Sequence, residues 1–323
     1  MAPVAAVRTA LFFLTVSGGS RAQRSNVVFI HYHKTGNYLA KQLKNAILNP
    51  SLGLKEGVEH TNRRTCICQA FNCDERNKTS SIWIAPDLSL RLKPLPSCYA
   101  YVHMVRDPAR WALSFYDYQR GEAGERWAKE YVPICSLAHA GYATALSLTK
   151  PLLNATVAAC AALVTPGWSL NQHLRRLPEA DGLRLTGLLN ILGGGISEAT
   201  GDLARSAANL RTLRSSKNSA VRFINVFMDD FIAEPRVPLA EIAEFVVDLT
   251  LGDETQARRS AANTSLANRL VQQQTAKLSN PTGHMTTFRR SRDEKEALLR
   301  RHESDPVLAP TYLAWRRLFG LAA

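Results

Sequence analysis

Near its N-terminus the chain carries a run of β-branched and aromatic residues, Val27-Val28-Phe29-Ile30. It breaks directly into His31-Tyr32-His33-Lys34-Thr35-Gly36 and then into a stretch with helical spacing. A run that is apolar without alternation is a strand buried on both faces, as in a parallel sheet. Apolar residues at Leu39, Leu43, Ala46 and Ile47 predict a helix over Asn37 to Leu48, which Asn49-Pro50 ends. A strand that feeds a helix through a tight loop turns unsatisfied amides and a positive helix-dipole end toward that loop, which suits an anion. Lys34 adds a full charge and Thr35 a hydroxyl donor. The order of residues differs from the nucleotide-hydrolase loop GxxxxGK[ST]. Here Lys34 and Thr35 precede Gly36, no glycine stands at the required distance upstream, and no Mg²⁺-ligating layout follows.

Further strands and helices follow the same logic. Ser81 to Ile84 reads as a short strand, and Tyr99 to Val105 as a longer one running into Arg106-Asp107-Pro108. A helix is expected to begin at Pro108, whose fixed φ suits a first turn, and to carry Trp111, Phe115 and Tyr118. Tyr131 to Leu213 reads as several helices, with a break at Gly193-Gly194-Gly195. Val221 to Phe227 is another strand. Pro238 to Leu249 is an amphipathic helix with Leu239, Ile242, Phe245 and Val246 on one face, and two last helices run from about Arg292 to Arg301 and Ala309 to Leu318. Strands alternating with helices predict an α/β fold, a parallel β-sheet flanked by helices. The expected organisation is one domain over residues 26–321, with a polar, cysteine-bearing insertion at about 51–80.

Charge and processing signals narrow the setting. The formal net charge is +13, from 40 Lys+Arg against 27 Asp+Glu, which favours polyanionic partners. The basic residues are scattered and form no tail of the kind that binds nucleic acid, so no nucleic-acid partner is expected. Residues 1–22 combine Arg8, the apolar Leu11-Phe12-Phe13-Leu14 and small residues up to Ala22. This is the layout of a signal peptide or a short signal anchor, the latter with membrane association. Six cysteines, Cys66, Cys68, Cys73, Cys98, Cys135 and Cys160, read as disulfides of an oxidising compartment. The spacing Cys66-x-Cys68-x4-Cys73 is not that of a zinc site, and no metal is expected. Asn77, Asn154 and Asn263 begin glycosylation sequons. The expected location is the secretory pathway: the Golgi lumen or outside the cell.

Three segments together resemble the PAPS-dependent sulfotransferase superfamily, in its carbohydrate or Golgi-type branch, where PAPS is 3′-phosphoadenylyl sulfate. Lys34-Thr35-Gly36 is similar to the loop that holds the 5′-phosphosulfate in that family. Arg106-Asp107-Pro108, with Ser114 eight positions after the arginine, matches the pair that holds the 3′-phosphate. Phe227-Met228-Asp229-Asp230-Phe231 through Pro235 looks like the family's strand, acidic pair and proline, and an amphipathic helix follows it. The sequence departs from the family in having His33 before the lysine and Asn37 and Tyr38 where small hydroxyl residues are common. It also lacks an Arg-Lys-Gly near the C-terminus. The stretch Lys277 to Arg290, with Gly283, His284, Arg289 and Arg290, stands where that element is expected.

The resemblance implies a P-loop-related sulfotransferase fold and a sulfotransferase activity with PAPS as donor. The acceptor would be a hydroxyl or amine, with a glycan first. His33, Lys34, Thr35, Gly36, Asn37, Tyr38, Arg106 and Ser114 would bind the donor. Lys34 would also steady charge on the leaving oxygen. The general base is expected shortly after the first helix, where Glu56, Glu59 and His60 lie; His60 titrates nearest neutrality, and Glu59 is next. His31 and His33 are rivals for that role. His103, mid-strand, reads as a satisfied core histidine, and His284 would need a loop folded over the site. The alternative is a non-catalytic lumenal module of the same fold that binds acidic glycan or adenosine bisphosphate.

Overall fold

The computed structural model describes residues 26–32, 37–48, 54–56, 80–86, 90, 95, 99–121, 126–136, 144–192, 201–216, 221–251, 254–278 and 290–321. Five strands form one sheet: β1 (Asn26–His31), β2 (Leu54–Glu56), β3 (Ser80–Pro86), β4 (Tyr99–Val105) and β5 (Arg222–Phe227). Their order is β2-β3-β1-β4-β5, and every neighbouring pair is parallel. The helices in chain order are α1 (Asn37–Ile47), α2 (Pro108–Arg120), α3 (Arg126–Glu130), α4 (Lys150–Ala161), α5 (Leu170–Arg176), α6 (Glu179–Leu192) and α7 (Asp202–Arg214). After β5 come α8 (Met228–Ala233), α9 (Arg236–Thr250), α10 (Gln256–Leu278), α11 (Arg292–Glu303) and α12 (Ala309–Phe319). The α/β reading with a parallel sheet therefore holds. The edge strand β2 lies inside the span read as an insertion, because three residues ending in Lys55-Glu56 carry no strand pattern.

Contacts divide the chain into two compact units, each built from separate segments. In its described parts, one comprises Met1–His31, Gly36–Val105 and Leu213–Ser279, and the other Tyr32–Thr35, Arg106–Thr212 and Asn280–Ala323. The first unit holds the sheet with α1, α8, α9 and α10. Strand register puts Ile82, Val27 and Ala100 in one row and Ile84, Phe29 and Val102 in the next. This face forms one core with Leu39 and Leu43 of α1, Leu239, Ile242 and Val246 of α9, and Leu266 and Leu270 of α10. Val27 to Ile30 are fully buried, which is why β1 shows no polar alternation. Each such side chain contributes roughly 1.5–3 kcal/mol on burial. On the opposite face His103 and Asn225, register partners on β4 and β5, share a hydrogen bond of 3.0 Å.

The second unit is helical. Helix α2 begins as its sequence requires: the Asp107 carboxylate accepts from the Ala109 and Arg110 amides, and Pro108 occupies the first turn. Trp111, Ala112, Phe115 and Tyr116 are buried at helical spacing, and α2 packs against α5, α6, α11 and α12. Helices α5 and α11 both open with capping boxes, Ser169 with Gln172 and Ser291 with Glu294. A disulfide joins Cys135, after α3, to the buried Cys160 of α4. Cys66, Cys68, Cys73 and Cys98 lie outside the described residues.

Candidate functional site

Strands β1 and β4 are neighbours, paired in register from Asn26↔Tyr99 to Ile30↔His103. The chain leaves their carboxyl ends in opposite directions. From β1 it goes on to β2, beyond β3, and from β4 it proceeds to β5 at the other edge of the sheet. Ligands of open α/β sheets bind outside the carboxyl ends of the strands, at such a point of reversal. The residues that leave those two ends are Tyr32, two positions before Lys34 in sequence, and Arg106.

Arg106 is half-buried, between the last residue of β4 and the cap of α2. Ser114, also half-buried, sits two turns into α2. Both oxygens of the intervening Asp107 are engaged: Oδ1 accepts from the Ala109 and Arg110 amides at 3.0 and 3.3 Å, and Oδ2 accepts from Arg316 Nε at 2.7 Å. Tyr32, the residue that follows β1, is held on the same helix. Tyr32 is fully buried, its ring lies 5.8 Å from that of Trp111, and its hydroxyl accepts from Asn209 Nδ2 at 2.6 Å. Trp111 stands one turn before Ser114. Tyr32, Arg106 and Ser114 thus share one unit, and two anion-directed features, a strand-end guanidinium and a helical hydroxyl, fall on it.

Of the residues expected at the site, His33, Lys34, Thr35, Gly36, Glu59 and His60 lie outside the described residues, as does His284. Asn37 and Tyr38 open α1, the position that offers backbone amides to an anion. Glu56 ends β2. His31 is buried at the end of β1, away from the exposure expected of a base that meets substrate in solution. His103 is a core histidine, as its place in the strand implies. Burial lowers its pKa to about 4, and the hydrogen bond to Asn225 opposes the shift. Asp229 and Asp230 fall in the first turn of α8, where the helix dipole favours carboxylates. Burial, then the neighbouring Asp229, raises the pKa of Asp230.

One expectation is corrected. Arg290 does not replace the missing basic element: its guanidinium grips both oxygens of Asp117 and reaches Glu179 Oε1 at 2.8 Å. A planar fork already matched to one carboxylate and bonded to a second is a structural clasp.

Sequence reasoning passed over a second clasp. Arg316 binds Asp107 and also Glu303, and Trp315 donates its indole N–H to Ser206 Oγ at 2.9 Å. Burial works to lower the Arg316 pKa, but the bonds to Asp107 and Glu303 outweigh it and raise it. Asp107 and Arg316 are 209 positions apart, and no local pattern pairs them. Tyr32 had a signal, being adjacent to the loop; Asn209 and Arg316 had none.

Among the described residues no group of three His, Cys, Asp or Glu side chains converges as a metal site would require. No described helix is long and apolar enough to cross a membrane. Of the sequons, Asn154 is exposed on α4, while Asn263 lies within α10 with its Oδ1 buried; Asn77 lies outside the described residues. No family model matches the chain, and neither the curated proteins nor the solved structures include a significant match.

Proposed function

We propose that this chain is a sulfotransferase of the secretory pathway, with a P-loop-related fold, that moves a sulfuryl group from PAPS to a hydroxyl or amine, a glycan first among acceptors. The observation that carries the reading is the placement of Arg106 and Ser114. They lie at the family's eight-residue spacing, on a strand end and the following helix, where the strand order reverses beside the strand that feeds Lys34-Thr35-Gly36. The fit to a bisphosphate rests on that half-buried arginine and on the Ser114 hydroxyl. The Cys135–Cys160 disulfide supports the lumenal setting.

In this reading Arg106 and Ser114 hold the 3′-phosphate, and the Lys34 loop with the α1 amides at Asn37 and Tyr38 holds the 5′-phosphosulfate. The acceptor oxygen or nitrogen forms the new bond to sulfur while the bond from sulfur to the bridging phosphate oxygen breaks. The acceptor's proton passes to a base, for which His60 and Glu59 remain the candidates. The electron pair stays on the bridging oxygen of the departing 3′,5′-adenosine bisphosphate. Lys34 steadies that charge; losing a donor so placed costs about 2.7–4 kcal/mol of barrier, or about 10²–10³ in rate.

The test is calorimetric titration with 3′,5′-adenosine bisphosphate, set against ATP with Mg²⁺, followed by transfer assays with labelled PAPS. Arg106→Ala should weaken bisphosphate binding about 10–100-fold, and Lys34→Ala should abolish transfer in a folded protein. A folded parent chain that ignores the bisphosphate refutes the reading. Binding without transfer to any acceptor would leave the binding-module alternative.

A further inference from the structure

We infer that Asn209 and Arg316 are positioning residues: through a closed circuit of buried and half-buried contacts they fix the Arg106–Ser114 segment against Tyr32, two positions before Lys34. This rests on the donor site proposed above and goes beyond it by naming what holds that site in register.

The circuit can be followed contact by contact within one unit. Asn209 Nδ2 donates to the Tyr32 hydroxyl at 2.6 Å. The Tyr32 ring lies 5.8 Å from Trp111, tilted by 44°. The Trp111 amide donates to the Asp107 carbonyl at 2.8 Å, the first turn of α2. The Asp107 carboxylate accepts from Arg316 at 2.7 Å. Trp315, the neighbour of Arg316 on α12, donates to Ser206 at 2.9 Å, and Ser206 stands one turn before Asn209 on α7. Three helices, α2, α7 and α12, and the residue that follows β1 are thereby tied into a ring, and Arg106 and Ser114 are carried on it.

The burial pattern says that this ring is not ordinary packing. Residues 201–210 of the α7 region are all buried, polar ones included: Ser206 and Asn209 are fully enclosed, as is Trp315. A buried polar side chain is costly unless bonded, and a leucine at either α7 position would pack without that requirement. The polar residues define distance and direction between groups in a way that apolar contacts do not. Tyr32 is two residues from Lys34, and Asp107 is next to Arg106. Those are the positions at which a small displacement would separate the 5′- and 3′-phosphate contacts, and a shift of about 1 Å can cost about 100-fold in function.

The experiment compares the full chain with Tyr32→Phe, Asn209→Leu and the double variant by bisphosphate titration and steady-state kinetics. Each single change should weaken bisphosphate binding about 10-fold. The double should be no weaker than either single, because both remove one bond. Donor KM should rise while kcat at saturating donor holds, a split that a general loss of folded protein would not give. At the second anchor, Arg316→Met should show the same split and Arg316→Lys should recover part of it. If Asn209→Leu does not fold, Trp315→Phe interrupts the ring at Ser206 instead. A parent that binds, with folded variants that bind equally well, overturns the positioning role alone. A parent that does not bind the bisphosphate overturns the donor-site reading and this inference with it.

Discussion

Replacing Arg290 by methionine should cost about 3–5 kcal/mol of stability and leave the proposed donor site intact. Arg290 Nε lies 3.2 Å from both oxygens of Asp117, and Nη2 lies 2.7 Å from Oδ1 and 2.8 Å from Glu179 Oε1. The Arg290 and Asp117 side chains are 13% and 11% exposed, whereas Glu179 is 40% exposed. The Asp117 arm therefore dominates. Removing one partner of a buried pair strands the other charge, which costs about 3–5 kcal/mol, while the wetter Glu179 arm adds at most about 1 kcal/mol. Arg290 also directly precedes Ser291, the cap of α11, so the loss should loosen that helix where it meets α2. The assay is the urea midpoint at pH 7 for Arg290→Met, Glu179→Gln and the pair Asp117→Leu with Arg290→Met. The pair should recover most of the loss, since an apolar replacement of both partners leaves no orphan charge. A loss below about 1 kcal/mol in Arg290→Met, or a fall in bisphosphate affinity with stability unchanged, would refute the clasp and return Arg290 to phosphate binding.

Three further outcomes follow from the packing. Burial holds His103 and His302 at pKa values of about 4, against weaker raising effects of Asn225 on the first and of Asp305 and Asp107 on the second. The unfolded chain takes up these protons near pH 6.5, so stability should fall as pH drops from about 6.5 to about 4. Each histidine should cost about 2 kcal/mol by pH 5, as read from urea midpoints, and His103→Gln should flatten the slope. Cys160→Ala opens a link across a sequence separation of 25 and should cost about 3–4 kcal/mol; equal melting with and without reductant would contradict it. Gly187→Ala would put its Cβ 2.5 Å from the Tyr312 hydroxyl and 2.9 Å from His302 Cε1. It should cost about 1–3 kcal/mol by overpacking, and an unchanged midpoint would mean that the two rings can yield.

The elements readable from sequence were those announced by a strong local signal. β1 and β4 fell within a residue of their expected bounds and α2 begins at the expected Pro108, because a continuous apolar run, a proline and a capping aspartate announce them. The helix expected at Pro238 begins at Arg236, since proline is tolerated anywhere in a first turn. Four elements escaped. β2 has three residues at a sheet edge, α3 and α8 are helices of five and six residues, and α10 is long but polar on most of its surface, so none shows a strong period. The placement of Arg106 at a strand end and of Ser114 in the following helix was legible, because Asp107 and Pro108 mark that boundary. The contacts of Asn209 and Arg316 were not, because a partner far away in the chain leaves no spacing to read. Arg290 misled for a related reason: sequence shows the charge and not the carboxylates that occupy it.

The 209-residue separation of Asp107 and Arg316 also sets an order of events when the protein is made. At about 5–20 residues per second, Arg316 is added about 10–40 s after Asp107. The strands that lead into the Arg106 segment can pair during that interval, but the ring around Tyr32 cannot close until α12 has emerged. That ring is therefore a late product of synthesis, and a ribosome stalled before Arg316 would hold a chain with its sheet begun and its Arg106 segment still unclasped.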